Sequence, residues 1–123
     1  MSLLAAELKA VEPGVVEIEL ATRVDLTQQD GFMHAGIVTT VLDSACGYAA
    51  YTLMPANSSV LSVEFKVNLL APAKGDRIAV RAEVKRSGRT LTVCTADAFS
   101  DGNICATMLA TMICVDRTKP NKN

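Results

Sequence analysis

The chain has 123 residues, half of them hydrophobic and 20% charged, with a formal net charge of −1 at pH 7. That length suits one domain and is short for two, so residues 1–123 are expected to form a single domain with its core at about 14–116. Acids and bases are interspersed, which excludes the basic stripe of a nucleic-acid binder and gives no reason to expect a membrane-surface binder.

The N-terminal stretch Met1 to Glu7 lacks a basic region followed by a long apolar run, so no signal peptide is expected. Val16, Ile18 and Leu20 alternate with Glu17 and Glu19, the pattern of a half-buried strand. A polar stretch from Thr22 to Met33 follows. The period then changes: Val38, Val41/Leu42, Ala45, Ala49 and Leu53 recur every three to four residues, which predicts a helix of about five turns closed by Pro55. The segment Ala35 to Met54 carries Asp43, two glycines and several Thr/Ser residues, so it reads as a buried helix of a cytoplasmic protein and not a membrane span.

Strands account for the rest. Leu61, Val63, Phe65, Val67 and Leu69 alternate with polar residues, as do Ile78, Val80, Ala82 and Val84. Ser87-Gly88-Arg89 turns the chain. In the next strand the apolar phase moves from Leu91 and Val93 to Ala96 and Ala98, which predicts a bulge near Cys94-Thr95. Asp101-Gly102 is a two-residue hairpin signal. The segment Ile104 to Val115 lacks clean alternation and is expected to be covered on both faces, and the tail from Arg117 is expected to fray. The fold class is therefore α+β, one long helix against an antiparallel sheet. A sheet covered by a helix on one face invites a homodimer. Cys46, Cys94, Cys105 and Cys114 sit in apolar stretches without a C-x-x-C pair and read as reduced core residues.

Asp43 is the only charged side chain of the helix. Its face holds Gly36, Thr39/Thr40, Gly47 and Ala50, a stripe of small or polar groups. Desolvating a carboxylate is costly unless it is paired, so Asp43 either caps a neighbouring loop at a solvated edge or serves a ligand. His34 is the only histidine, with no G-x-S-x-G elbow for a triad and no cysteine spacing for zinc, so no metal site is expected. It directly precedes the helix, whose first N–H groups lack internal partners and carry partial positive charge. Ala35 and Gly36 are therefore candidate oxyanion donors, and Gln28, in the preceding loop, is a candidate for placing water or the carbonyl.

The spacing Gln28…Gly31-x-x-His34-Ala35-Gly36-x6-Asp43 resembles the signature of hotdog-fold thioesterases of the phenylacetate-degradation and 4-hydroxybenzoyl-CoA type. Ser62 to Ala73 and Gly88-Arg89-Thr90-Leu91 are similar to that family's following strand and next turn. The resemblance implies five or six antiparallel strands wrapped around a central helix, and hydrolysis of a medium-chain or aromatic acyl-CoA without metal or organic cofactor. It makes Asp43 the nucleophile or general base, and Ala35 the oxyanion donor where the family usually has glycine. It also implies that Gln28 and Ser62 help to place substrate or water, and that Ser87, Gly88, Arg89 and Thr90 lie near the coenzyme A nucleotide. Relatives build the site between two subunits and are commonly dimers of dimers. Val38, Leu42, Tyr48, Tyr51, Met54 and Leu61 are the expected pocket walls. Two alternatives stay open: a hotdog domain that binds acyl-CoA without cleaving it, and a hydratase-type enzyme, which the nine-residue interval from His34 to Asp43 disfavours.

Overall fold

The computed structural model describes residues 6–21, 33–74 and 77–118. Among them the order is β1 (Ala6–Glu12), β2 (Val15–Ala21), α1 (Ala35–Tyr51), β3 (Ser58–Leu69), β4 (Arg77–Ser87), β5 (Leu91–Ser100) and β6 (Asn103–Asp116). All six strands pair antiparallel in one sheet, ordered β1-β2-β4-β5-β6-β3. One face of the sheet closes around α1, which touches every strand. This is the α+β hotdog arrangement expected from the sequence.

The helix forms where the period demanded it. Val38, Val41, Leu42, Ala45, Cys46 and Ala49 are all buried against the sheet, and the small side chains among them let the helix lie close to it. It ends at Tyr51, one turn earlier than the apolar period suggested, and Leu53 is 41% exposed. Thr52 fixes this end: its Oγ1 donates to the Ala49 carbonyl at 2.6 Å and accepts from Gly14 N–H at 2.7 Å. Gly14 has φ +78° in the β1–β2 turn, a conformation that favours glycine. The Asp101-Gly102 hairpin forms as expected, with φ of 50° and 82°.

Four strand features differ from the expectation. β1 was not anticipated, because as an edge strand paired only with β2 it has no buried face to impose alternation, and Leu8 and Val11 are exposed. No phase slip occurs in β5: Thr92, Cys94, Ala96, Ala98 and Ser100 face inward without a break. The extra residue is Lys85 on β4, between the Val84–Cys94 and Arg86–Val93 pairs, so Leu91 and Val93 belong to the outer face. β6 is covered on one face within the chain; Ala106, Met108, Ala110 and Met112 are buried, while Leu109 opposite is half exposed.

The fourth difference is in β3. Its register with β6 shifts between Ser62–Met112 and Glu64–Thr111, leaving Val63 as the bulged residue. Phe65, Val67 and Leu69 therefore oppose Ala110, Met108 and Ala106 on the inner face, whereas Leu61 opposes Ile113 on the outer face. Tyr48, Tyr51 and Leu61 border open space as expected of pocket walls, and Met54 packs on the core. Leu42 is fully buried core instead. Leu42→Ala is expected to cost about 2–5 kcal/mol of stability. This would be read as a lower urea midpoint at unchanged m. An unchanged midpoint would contradict the place of Leu42 in the core.

Candidate active site

Asp43 lies two turns into α1, half-buried, on the wall of a groove between α1 and β3. Its Oδ1 accepts a hydrogen bond from Ser62 Oγ at 2.7 Å. That contact exists because of the bulge. With Phe65, Val67 and Leu69 facing inward, an unbroken strand would send Ser62 to the outer face; the extra Val63 turns it back toward the helix. The groove has a volume of about 460 Å³ and runs past Gly47, Tyr48 and Tyr51 on the helix and Ser58 on β3, with Met112 and Arg117 bordering it.

The helix face around Asp43 is narrower than its spacing implied. Thr39 and Thr40 donate their hydroxyls to the carbonyls of Ala35 and Gly36, both at 2.8 Å, so neither hydroxyl serves the carboxylate. Ala50 is buried. Gly47 alone of the stripe borders the groove, with open space where a Cβ would stand.

At the other end of this helix half, His34 is the N-cap residue, with φ −58° and ψ 137° and no side-chain cap. His34, Ala35 and Gly36 are all exposed. The His34 carbonyl takes the amides of Ile37 and Val38, while the amides of Ala35 and Gly36 have no partner among the described residues. Ala35 has helical backbone, so the position does not demand glycine and its N–H keeps the outward direction of a first-turn donor. The turn is anchored by Met33 N–H donating to the Ala73 carbonyl at 2.9 Å. A cavity of about 350 Å³ opens here, bordered by Met33, Ala35, Val38, Leu69, Ala73 and Ala106, all apolar.

Not every predicted residue joins these two places. Gln28 and Gly31 lie outside the described residues. Ser87, Gly88, Arg89 and Thr90 form the exposed β4–β5 turn, which does not border the Asp43 groove. The turn itself is constrained: Gly88 N–H donates to the Leu91 carbonyl at 2.8 Å, and a Cβ at Gly88 would stand 2.7 Å from that oxygen. Arg117 was overlooked, being read as the start of a frayed tail. Its N–H donates to the Asn57 carbonyl at 2.8 Å, which ties the end of β6 to the start of β3. Only the pairing of β6 with β3 reveals that, and nothing in the local sequence announces it. Among the described residues no group of acidic, histidine or cysteine side chains is arranged to hold a metal ion.

A model of the thioesterase superfamily matches residues 30–107. The chain is 29% identical over 113 residues to an inferred esterase of Saccharolobus solfataricus, covering 91% of this chain and 75% of that one. It is 29% identical over 91 residues to human acyl-coenzyme A thioesterase 13, covering 73% of this chain and 64% of the relative. Among solved structures, a thioesterase family protein from Silicibacter pomeroyi superposes with a TM-score of 0.91 at 55% identity, over 94% of this chain and 88% of the other.

The four cysteines are all unpaired. Burial pushes the Cys46 thiol far up, with the neighbouring Cys94 and Asp43 adding to the effect, and pushes Cys94 up to about 11 and Cys105 upward as well. Thiolate is the reactive form, so these three should resist a disulfide reagent at pH 8. Titration of the native protein with an aromatic disulfide is expected to consume at most the half-buried Cys114, and all four thiols only after unfolding. Rapid reaction of two or more native thiols would contradict the burial.

Proposed function

The chain belongs to the thioesterase superfamily, and we propose that it hydrolyses medium-chain or aromatic acyl-CoA esters at a site shared between two copies of itself. The observation carrying this reading is a distance along α1. Eight residues separate Ala35 from Asp43, which at 1.5 Å per residue is about 12 Å. An oxyanion donor must lie about 3 Å from the carbonyl oxygen while the carboxylate reaches the same carbonyl carbon or its attacking water. One chain does not bring its own Ala35 and Asp43 to a single thioester. Two chains related by a twofold axis do, each giving Asp43 to one site and Ala35 to the other.

The open edge supports the same assembly. β3 is twelve residues long and, among the described residues, pairs on one side only, with Leu61, Val63, Phe65 and Leu69 exposed. A long apolar edge of this kind calls for a partner, and a second β3 supplies one. Leu61, Leu91 and Leu109 crop out on the outer face of the sheet and offer a second contact, which makes a dimer of dimers. Four unpaired cysteines suit a reducing compartment such as the cytoplasm.

In the proposed site the thioester oxygen accepts from Ala35 N–H, in the positive field of the helix N-terminus. Asp43 either attacks the carbonyl carbon, giving an anhydride that water then opens, or takes a proton from the water that attacks. In both routes the C–S bond breaks, the acid leaves, and the coenzyme A thiolate takes up a proton. Ser62 holds the carboxylate in one orientation. Gln28 keeps the water-placing role that the resemblance implies. No metal or organic cofactor enters.

Two variants test this. Asp43→Asn should lower thiol release from an acyl-CoA panel by a factor of about 10²–10⁴. Ala35→Pro should lower it by about 10²–10³, because proline at the first helical position removes the N–H with little cost to the helix. Mixed and refolded together, the two inactive variants should recover on the order of a quarter of wild-type activity, since each heterodimer holds one intact site. No recovery would rule out the shared site, and wild-type turnover by Asp43→Asn would remove the carboxylate from the mechanism. Intact acyl-CoA retained by wild type without thiol release would favour the binding-only domain.

A further inference from the structure

The groove at Asp43 continues along the α1–β3 seam to a cation that the proposed chemistry leaves unused. From Ser62, beside Asp43, to Ser58 at the start of β3 is four residues of extended chain, about 13 Å, and Asn57 is the turn residue before it. There Arg117 is held by its N–H to the Asn57 carbonyl, and its side chain borders the groove. Among the described residues its guanidinium makes no ion pair, and Asp43, the groove's one carboxylate, is engaged by Ser62. The neighbouring Asp116 accepts from Thr118 through both N–H and Oγ1. Thr90 accepts from Cys114 N–H at 2.8 Å, which brings the β4–β5 turn and Arg89 to this same end of the sheet.

The two cavities differ in chemistry. The one at Ala35 is lined by apolar side chains and the Cys105 thiol, whereas the seam is bordered by Ser58, Tyr48 and Tyr51 before it reaches Arg117. A thioester of coenzyme A is divided in the same way, with a hydrocarbon acyl group on one side and an amide-bearing arm ending in phosphates on the other. We infer that the α1–β3 seam holds the pantetheine arm, that Arg117 binds a phosphate oxygen of coenzyme A, and that the acyl group enters the apolar cavity beside the partner's Ala35. This rests on the thioesterase reading above. A guanidinium suits phosphate because its fixed fork of donors matches two oxygens at once, and it stays charged at any working pH.

The test compares one acyl group carried on coenzyme A and on N-acetylcysteamine, which has no phosphate. Arg117→Ala is expected to raise KM for the coenzyme A ester about tenfold, with kcat nearly unchanged, and to leave the short thioester unaffected. Arg117→Lys should restore part of the loss. Calorimetric binding of coenzyme A itself reads the same contact without turnover, so loss of binding in Arg117→Ala supports the inference even if no thioester is cleaved. Equal KM and equal coenzyme A affinity in variant and wild type would overturn it. So would a defect confined to acyl groups ending in a carboxylate, which would place Arg117 at the acyl end. An unchanged thermal midpoint excludes misfolding as the cause.

Discussion

Successive side chains of a strand alternate between the two faces of the sheet, so one inserted residue reverses the facing of everything beyond it. In β3 that inserted residue is Val63. On one side of it Phe65, Val67 and Leu69 face the helix, and on the other Ser58, Val60 and Ser62 do. Without the insertion Leu61 would press toward Asp43 and Ser62 would face away from it. A half-buried carboxylate opposite an aliphatic side chain would lose hydration with nothing in return, at a cost of the order of 1–3 kcal/mol or more. The bulge replaces that liability with a 2.7 Å hydrogen bond. The outer face accommodates the change, because Glu64, just past the bulge, accepts from Thr111 at 2.8 Å across the strand pair.

The helix imposes a complementary constraint. Its N-terminal amides and its carboxylate are fixed about 12 Å apart by helical rise, and no side-chain rotation closes that gap. A rigid helix is thus well suited to a site assembled from two copies and poorly suited to one built within a single chain. The open edge of β3 and the groove beside it face the same region. In the proposed dimer, covering the edge also covers Asp43, so the act that satisfies the strand's unpaired amides is the one that excludes water from the carboxylate.

The parts of this arrangement that were legible in the sequence are those that repeat. The helix was visible because its buried stripe recurs every three to four residues, and Asp43 because it is the only charged side chain of that helix. β2 and β4 were legible for the same reason, each alternating between a buried and an exposed face. The bulge was not, because Val63 is apolar and extends the alternation of Leu61 and Phe65 without a visible fault. In β5 the reverse happened: outward-facing Leu91 and Val93 imitated a phase slip, while the extra residue was the unremarkable Lys85 on the partner strand. β1 left no trace because an edge strand without a buried face has no periodicity to read. Arg117 depends on which strand lies beside β6, and that is a property of topology alone.

Polarity within the site follows from which elements meet. Where α1 begins, it faces the end of β3, the start of β6 and the segment after β3, where Ala73 and Ala106 are buried and must be apolar to close the core. Further along, α1 runs beside the first half of β3, an edge that no other strand covers among the described residues. Serines and tyrosines are tolerated there because water or a ligand can satisfy them. One helix thus presents an apolar recess at its N-terminus and a polar seam along its C-terminal half. In the proposed dimer, a two-part molecule with a greasy end and an amide-bearing end meets the recess of one chain and the seam of the other. The amphipathic division of the substrate and the twofold division of the site are, on this reading, the same requirement expressed by ligand and protein.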